Sequence, residues 1–166
     1  MDQHQYDTWT RPFRENPRAG MILGLLNRVL TALGYVAFPL LLIMQAISGA
    51  WDEALRTALV AAAGFLSLSI ARHILNKPRP YEVLSIEPLI KKDTHGKSFP
   101  SRHTFSMFMI AFCWFFWCVP VGILLTIAGI AIAVMRVLGG VHWPRDVVVA
   151  FLWALAFAIV GFILIP

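Results

Sequence analysis

The sequence predicts an all-α integral membrane protein: a helical bundle of about five transmembrane helices with a short polar N-terminal segment. Hydrophobic residues make up 58% of the 166 residues, and the mean hydropathy is +0.70. Soluble domains are roughly 45 to 50% apolar. Several apolar runs are long enough to cross a hydrocarbon core of about 30 Å, which takes roughly 20 helical residues. The composition therefore excludes a soluble domain, and residues 1–166 are predicted to form a single membrane domain.

Each predicted span is an apolar run bounded by charged residues, glycine or proline. The first twenty residues are polar and lack the hydrophobic centre of a signal peptide, and residues 1–28 are predicted to form an interfacial N-terminal segment. Residues 77–100 contain four prolines and clustered charges, which exclude a span. A loop of that length in a small protein is usually functional or disordered. The five predicted spans are Val29–Ile47, Ala54–Leu75, Thr104–Val119, Val121–Leu138 and Val147–Ile165.

The distribution of positive charge predicts the orientation. Five spans place the N-terminal segment, loop 77–100 and the turn between the fourth and fifth spans on one side of the membrane. Only Arg56 lies near the other side. Short loops rich in Lys and Arg stay in the cytoplasm, so the side carrying the long loop is predicted to be cytoplasmic. The cations on that side are Arg11, Arg14, Arg18, Arg28, Lys77, Lys91, Lys92, Lys97 and Arg145.

Two cysteines, Cys113 and Cys118, lie in the third predicted span. Their spacing matches no metal or redox motif. Free cysteine behaves as a small hydrophobic residue, so both are predicted to have packing roles.

The first of three polar clusters, Arg72–Pro80, lies at the end of the second predicted span. Pro78 and Pro80 stop the helix and hold Arg79 on a stiff extended segment. Arg72 considered alone has a second interpretation, because an arginine near the end of a span can extend to the membrane interface.

The second cluster, Phe99–Ser106, begins the third predicted span. Ser101 occupies the expected N-cap, so the first N–H groups of the helix and the positive end of its dipole point towards the loop. This geometry binds phosphate and other anions. Considered separately, Ser101 is equally well explained as an ordinary cap and His103 as an interfacial histidine.

The third cluster, Met135–Asp146, joins the fourth and fifth predicted spans. Arg136 falls in the last turn of one helix, and two glycines and a proline permit a tight turn into the next. His142 and Asp146 are four residues apart, so the carboxylate can approach the imidazole, fix its tautomer and leave the other ring nitrogen free to attack. The alternative for Asp146 is a carboxylate that only complements the helix dipole.

All three clusters are predicted at the same face of the membrane. Ionisable groups in or beside spans are costly and are usually functional. Together the clusters supply histidines, arginines, an aspartate and a serine at a helix start, a set that suits a phosphate site with a nucleophile and an acid. No cluster supplies the carboxylates that magnesium requires. The sequence therefore predicts metal-free chemistry without a cofactor.

The three clusters resemble the motifs of the type 2 phosphatidic acid phosphatase family. The family pattern is Lys, six residues, Arg-Pro; then Pro-Ser-Gly-His; then Ser-Arg, five residues, His, three residues, Asp. The matching residues of this chain are Arg79-Pro80, Pro100-Ser101, His103, Arg136, His142 and Asp146. Three positions differ from the pattern: Arg72 replaces lysine, Arg102 replaces glycine and Met135 replaces serine.

The resemblance implies the catalytic roles. His142 would attack phosphorus to form a phosphohistidine, Asp146 would orient His142, and His103 would protonate the departing oxygen. Phosphoryl oxygens would be held by Arg72, Arg79, Ser101 and Arg136, with Lys77 and Arg102 as further candidates. Residues 77–100 would be the active-site loop. Members of the family usually have six spans, with the first motif after the third and the site facing outward. In this chain only two predicted spans precede the first motif.

These expectations lead to a functional prediction of a metal-independent phosphatase in a bacterial cell membrane, with its site on the cytoplasmic side. Its substrate is predicted to be a lipid phosphate such as phosphatidylglycerophosphate, phosphatidate or a polyprenyl phosphate or pyrophosphate. A lipid-phosphate binding protein without turnover and a lipid phosphotransferase are the alternatives. The predicted partners are this lipid and the bilayer, with no nucleic acid, and nothing in the sequence points to a particular oligomeric state.

Overall fold

The computed structural model describes residues 1–90 and 94–164. Lys91, Lys92 and the predicted end of the fifth span at Ile165 lie outside these residues. The described helices are α1 (Gln3–Glu15), α2 (Pro17–Ile47), α3 (Trp51–Leu75), α4 (Pro80–Val83), α5 (Arg102–Phe115), α6 (Val119–Leu138) and α7 (Pro144–Ile159), which continues as a π-helical turn, Val160–Leu164. The predicted all-α bundle of about five long helices is confirmed.

Four segments are long and apolar enough to cross a membrane. They are Pro17–Ile47, Trp51–Val83, Val119–Leu138 and Pro144–Leu164. Many of their large apolar side chains are exposed, as expected for surfaces that face lipid. The fifth helix of the bundle, α5, has only 14 residues and is about 21 Å long.

The third predicted span therefore ends too late, because α5 stops at Phe115 and not at Val119. The apolar run continues into α6, which begins at Val119 and has a proline in its first turn. The central position of α5 explains how so short a helix is accommodated. Most of its side chains are buried against α2, α3, α6 and α7, so the surrounding helices separate it from lipid.

The first long helix begins at Pro17, well before the predicted Val29. The Asn16 side chain caps it by accepting a hydrogen bond from the Arg18 N–H at 3.0 Å, and Pro17 occupies the first turn. Residues 17–28 thus belong to α2, and the separate N-terminal helix is α1. The interfacial location predicted for residues 1–28 stays a prediction.

Polar contacts and close packing join the helices within the apolar layer. The Trp114 indole donates to the Ala37 carbonyl at 3.0 Å and ties α5 to α2. The Trp153 indole donates to Ser67 Oγ at 3.0 Å and ties α7 to α3. A Cβ on Gly64 would lie 2.9 Å from the Phe105 ring, so a glycine is needed where α3 meets α5. The alternating directions of these helices place the ends carrying the three polar clusters at one end of the bundle.

Candidate active site

The three polar clusters of the sequence converge at that end of the bundle. Arg72 lies in the last turn of α3, Ser101 is the N-cap of α5, and Arg136 lies in the last turn of α6. His142 lies in the turn between α6 and α7, and Asp146 lies in the first turn of α7. All five side chains are buried, at 0 to 5% exposure. In an apolar bundle, such a concentration of polar groups marks a functional site.

His142 and Asp146 form a buried pair. The Nδ1 atom of His142 lies 3.4 Å from Oδ2 of Asp146, and the two residues are 1% and 0% exposed. A carboxylate at Nδ1 favours the tautomer that carries its proton there, which leaves the Nε2 lone pair available for nucleophilic attack. The spacing of four residues produces this contact, as the sequence predicted.

The environment of His142 keeps its imidazole neutral. Burial lowers the pKa of His142 well below its usual range, and the guanidinium groups of Arg136 and Arg79 act in the same direction against the Asp146 carboxylate. A neutral ring is the form that can donate a lone pair to phosphorus. This is the protonation state that the predicted attack by His142 requires.

Asp146 also organises the start of α7. Its Oδ2 accepts hydrogen bonds from the Trp143 N–H at 3.0 Å and from Ser98 Oγ at 2.5 Å, and its carbonyl accepts from the Ser101 N–H at 3.1 Å. Asp146 was predicted either to complement the helix dipole or to orient His142, and this one conformation is compatible with both roles. Asp146 thus joins loop 77–100 and the His142 turn through its carboxylate, and the α5 N-terminus through its backbone carbonyl.

Arg136 carries unused hydrogen-bonding capacity. Its side chain is 3% exposed, yet its Nε and Nη2 have no hydrogen-bond partner among the described residues. Its backbone carbonyl accepts the N–H groups of Val141 at 3.3 Å and His142 at 3.2 Å, which fixes it beside the His142 turn. A buried guanidinium without partners is costly, so it is expected to pair with an anionic ligand.

Arg72 and Arg79 are bonded to the backbone of loop 77–100 and of the His142 turn. Arg72 Nη1 donates to the Ser98 carbonyl at 2.9 Å and to the Pro100 carbonyl at 2.5 Å. Arg79 donates through Nε to the Gly96 carbonyl and through Nη1 to the Val141 carbonyl, both at 3.0 Å. Both arginines hold the polypeptide around the site, and their direct contact with phosphate stays a prediction.

The first turn of α5 differs from an ordinary capped helix start. Ser101 is the N-cap, but its side chain makes no capping hydrogen bond and instead accepts from Thr104 Oγ1 at 3.1 Å. The simple cap considered for Ser101 is therefore wrong. His103, on the same turn, is partly buried.

Lys77 and Arg102, the two further candidates for phosphate binding, are both exposed. Lys77 follows the end of α3, and its carbonyl accepts the Ser98 N–H at 2.8 Å. Arg102 is the first residue of α5 and lines the mouth of a cavity with His103. Both cations are thus exposed, whereas the groups around His142 are buried, and Arg102 still lies close enough to Arg72 and Arg79 to repel them electrostatically.

Two further residues near the site were not predicted from the sequence. Ser98 is 0% exposed and donates to Asp146, but one serine in a polar loop gives no distinguishing signal. The Glu82 carboxylate accepts the Arg79 N–H at 2.6 Å and the Gly96 N–H at 2.9 and 3.0 Å from its two oxygens. Its position two residues after Pro80, at the start of α4, is a capping-box signal that could have identified it.

A cavity of about 550 Å³ opens between α2, α3 and α5. Arg102 and His103 lie at its polar end, and apolar side chains, including Phe38, Phe105 and Ile110, form most of the remaining wall. Tyr35, which also lines it, is 76% exposed, so the cavity opens on the lipid-facing surface. The cavity thus combines mostly apolar walls with polar groups at the first turn of α5.

No group of three or more His, Cys, Asp or Glu side chains suited to a metal ion occurs in residues 1–90 and 94–164. Cys113 and Cys118 are free thiols.

The helical fold and the polar groups at one end of the bundle are those of a membrane protein of the PAP2 type. The sequence model of the PAP2 superfamily matches residues 53–166, and the chain belongs to that superfamily. No curated protein matches the sequence significantly.

Two solved structures have a similar fold. LpxE from Aquifex aeolicus matches with a TM-score of 0.70 and 24% identity, over 96% of this chain and 93% of that one. A transmembrane PAP2-type phosphatidylglycerolphosphate phosphatase from Bacillus subtilis matches with a TM-score of 0.62 and 20% identity, over 94% and 90% of the two chains.

Proposed function

We propose that this protein is a metal-independent phosphatase that removes a terminal phosphate from a membrane lipid through a phosphohistidine intermediate. The observation that carries the proposal is the buried His142–Asp146 pair beside Arg136, a guanidinium with two nitrogens lacking hydrogen-bond partners among the described residues. A neutral nucleophile next to an unpaired cation is suited to attack on an anionic phosphoryl group.

In the proposed reaction, Nε2 of His142 forms a bond to phosphorus and the bond between phosphorus and the lipid oxygen breaks. His103 donates a proton to that oxygen as it leaves. Water then attacks the phosphohistidine, His103 takes its proton, and inorganic phosphate leaves with His142 restored. Arg136, with Arg72, Arg79, Ser101 and the first N–H groups of α5, stabilises the charge on the transferred group.

The cavity between α2, α3 and α5 supports a lipid as the substrate. Its apolar walls suit a hydrocarbon tail, and its polar end lies at the α5 turn that carries His103. The phosphatidylglycerolphosphate phosphatase with a similar fold makes that lipid the first candidate, beside phosphatidate and polyprenyl pyrophosphate.

The test is release of inorganic phosphate by the purified protein in detergent with EDTA, across these three lipids. We expect release from at least one of them and inhibition by vanadate. Binding without release would support the lipid-binding alternative, and transfer of labelled phosphate to a second lipid or sugar would support the phosphotransferase.

We also propose that the site faces the cytoplasm. Arg11, Arg14, Arg18, Arg28, Lys77, Lys97 and Arg145 belong to the segments at the site end, whereas Arg56 lies near the opposite end. In sealed vesicles, the same assay with a water-soluble short-chain substrate should give activity in inverted vesicles, and activity confined to right-side-out vesicles would refute this orientation.

Gly34 provides a test of the tail-binding cavity. A Cβ there would lie 3.2 Å from Met107 Sδ, so Gly34→Leu is expected to fill part of the space between α2 and α5. Displacing two or three methylene groups of a bound tail would cost about 2 kcal/mol, or a loss of about 30-fold in kcat/KM for a long-chain lipid. A short-chain substrate should be hydrolysed normally.

Gly24→Leu is the matched control on the same helix, because no atom lies within 4 Å of a Cβ at that position. It should leave both substrates unaffected. Equal loss for long and short chains in Gly34→Leu would show that the cavity does not hold the tail.

A further inference from the structure

The turn that carries His142 is supported from outside the bundle by α1. Tyr6 of α1 is 0% exposed, and its hydroxyl would lie 2.6 Å from a Cβ on Gly140. Gly140 has φ +73°, a conformation that glycine adopts without strain. The aromatic ring of Tyr6 therefore packs directly on the backbone two residues before His142.

Other contacts confine the same turn. The Ile90 N–H donates to the Gly139 carbonyl at 3.3 Å, and a Cβ on Gly139 would lie 2.5 Å from Ile90 Cδ1. Arg79 Nη1 donates to the Val141 carbonyl at 3.0 Å. The backbone before His142 is thus held by loop 77–100 and Arg79, with Tyr6 packed on Gly140.

Specific bonds fasten α1 in this position. Arg14 Nη2 donates to the Glu87 carbonyl at 2.5 Å, and its guanidinium lies 5.7 Å from the centre of the Tyr6 ring. Gln3 Nε2 donates to the Ser85 carbonyl at 3.4 Å. Thr10 is 0% exposed and donates through Oγ1 to the Tyr6 carbonyl at 2.8 Å. Gln3 and Arg14 therefore bond the two ends of the helix to the loop beside the site, while the Thr10 bond lies within α1.

A membrane anchor is the other role considered for this segment, but α1 buries its inner face against the protein. Its outward side chains are mostly polar and exposed, and they include His4, Asp7, Arg11 and Glu15, with Trp9 at 45% exposure as the large apolar exception. Such a face offers little apolar surface to a bilayer. The buried face of α1, by contrast, contacts the site region through Tyr6 and also packs on α2.

We propose that Tyr6 is a positioning residue for the His142 turn, so that α1 is part of the working active site. The hydroxyl of Tyr6 has no hydrogen-bond partner of good geometry within the described residues, although it lies close to the Arg14 guanidinium and the Leu89 backbone, so the aromatic ring provides most of the support. Without the ring, the turn could relax into the vacated space and move the imidazole away from Asp146. A misplacement of about 1 Å can reduce the rate of a reaction by up to about 10²-fold. The activity readout rests on the proposed phosphatase function.

The experiment compares Tyr6→Ala and Tyr6→Phe in the full-length protein. We expect Tyr6→Ala to lower kcat between about tenfold and a hundredfold. KM should change by less than about twofold, because the tail cavity lies on other helices. Tyr6→Phe keeps the ring and should restore kcat to within about twofold of the unmodified protein. Thr8→Ala, on the exposed face of α1, is the matched control and should be unaffected.

Hydrogen exchange provides a readout that does not need turnover. The N–H groups of Val141 and His142 donate to the Arg136 carbonyl, and they should exchange faster in Tyr6→Ala while the amides of α3 and α6 do not change. If Tyr6→Ala fails to fold, Tyr6→Leu takes its place. Leucine leaves a smaller cavity beside Gly140, and the same changes in kcat and hydrogen exchange are expected.

Unchanged kcat in a folded Tyr6→Ala or Tyr6→Leu would overturn the proposal, and so would a Tyr6→Phe variant as slow as Tyr6→Ala. Faster exchange throughout the bundle would also overturn it, since α1 would then stabilise the fold in general. If the unmodified protein has no phosphatase activity, the proposed function fails. The amide hydrogen exchange of Val141 and His142 then tests by itself whether Tyr6 positions the His142 turn.

Discussion

His142→Ala is expected to abolish phosphate release, with a loss of at least about 10⁴-fold in kcat. The imidazole is the only part of the proposed mechanism that bonds to phosphorus, so the remaining groups can bind the substrate but cannot form the intermediate. Asp146 keeps its bonds to Ser98 and to the Trp143 N–H in the variant, so the start of α7 should remain intact. Phosphate release and thermal unfolding are the two measurements.

The matched control is His95→Ala. The side chain of His95 is 89% exposed and contacts Glu82 at 3.3 Å from the same loop, away from the buried pair. The His95→Ala variant should retain full activity. Quenching with detergent at alkaline pH and a phosphorus-labelled substrate should trap a phosphoenzyme that is stable in base and labile in acid in the unmodified protein but not in His142→Ala. Normal turnover by a folded His142→Ala would exclude the assigned nucleophile.

The sequence contained much of the information for the site because its polar clusters lie at helix ends. Proline or a chain turn fixes where a helix ends, and apolar runs fix which ends lie at the same face. Arg72, Ser101, Arg136, His142 and Asp146 could therefore be predicted to lie together, and the structure brings them to one end of the bundle. The contact between His142 and Asp146 depends on where α7 begins: Trp143 is its N-cap, so His142 lies just before the helix and Asp146 lies in its first turn.

The roles of the arginines could not be predicted in the same way. Arg72 and Arg79 donate to the carbonyls of Ser98, Pro100, Gly96 and Val141, whereas Arg136 has two nitrogens without a partner. Which carbonyl meets which guanidinium depends on the path of loop 77–100, and loop paths follow from tertiary contacts. A motif identifies residue types at fixed spacing but does not separate an arginine that holds the loop from one that is free to bind anion.

Helix boundaries were predicted less well, for two physical reasons. The Asn16-Pro17 pair is a helix-start signal, but Asn27 and Arg28 interrupt the apolar run that follows it, so hydropathy alone places the start of the span later. The short α5 could not be recognised from hydropathy, since a helix enclosed by other helices is apolar whether or not it spans the bilayer. The packing of Tyr6 on Gly140 joins residues far apart in the chain, and no local pattern reports such a contact.

Arg136→Met is expected to lower activity strongly while leaving stability unchanged or raised. Removing one donor that stabilises charge in a transition state costs about 10² to 10³-fold in kcat. The folded protein without substrate should not suffer, because Arg136 is 3% exposed and its Nε and Nη2 are unpaired in the described part of the chain. Replacing an unpaired buried charge with an apolar side chain of similar length removes a desolvation cost. In the unmodified protein, Arg136 would thus support function at a cost in stability.

Arg79→Met is the contrasting variant at the same site. Arg79 is 2% exposed and bonded to Gly96 and Val141, so its loss would leave buried carbonyls unpaired and should destabilise the protein by about 2 to 4 kcal/mol. Thermal unfolding in detergent without phosphate should separate the two variants. Added vanadate or inorganic phosphate should stabilise the unmodified protein but not Arg136→Met, because a ligand stabilises only the state that binds it. If Arg136→Met is destabilised as much as Arg79→Met, Arg136 stabilises the fold, and its guanidinium is not available to bind the phosphoryl group.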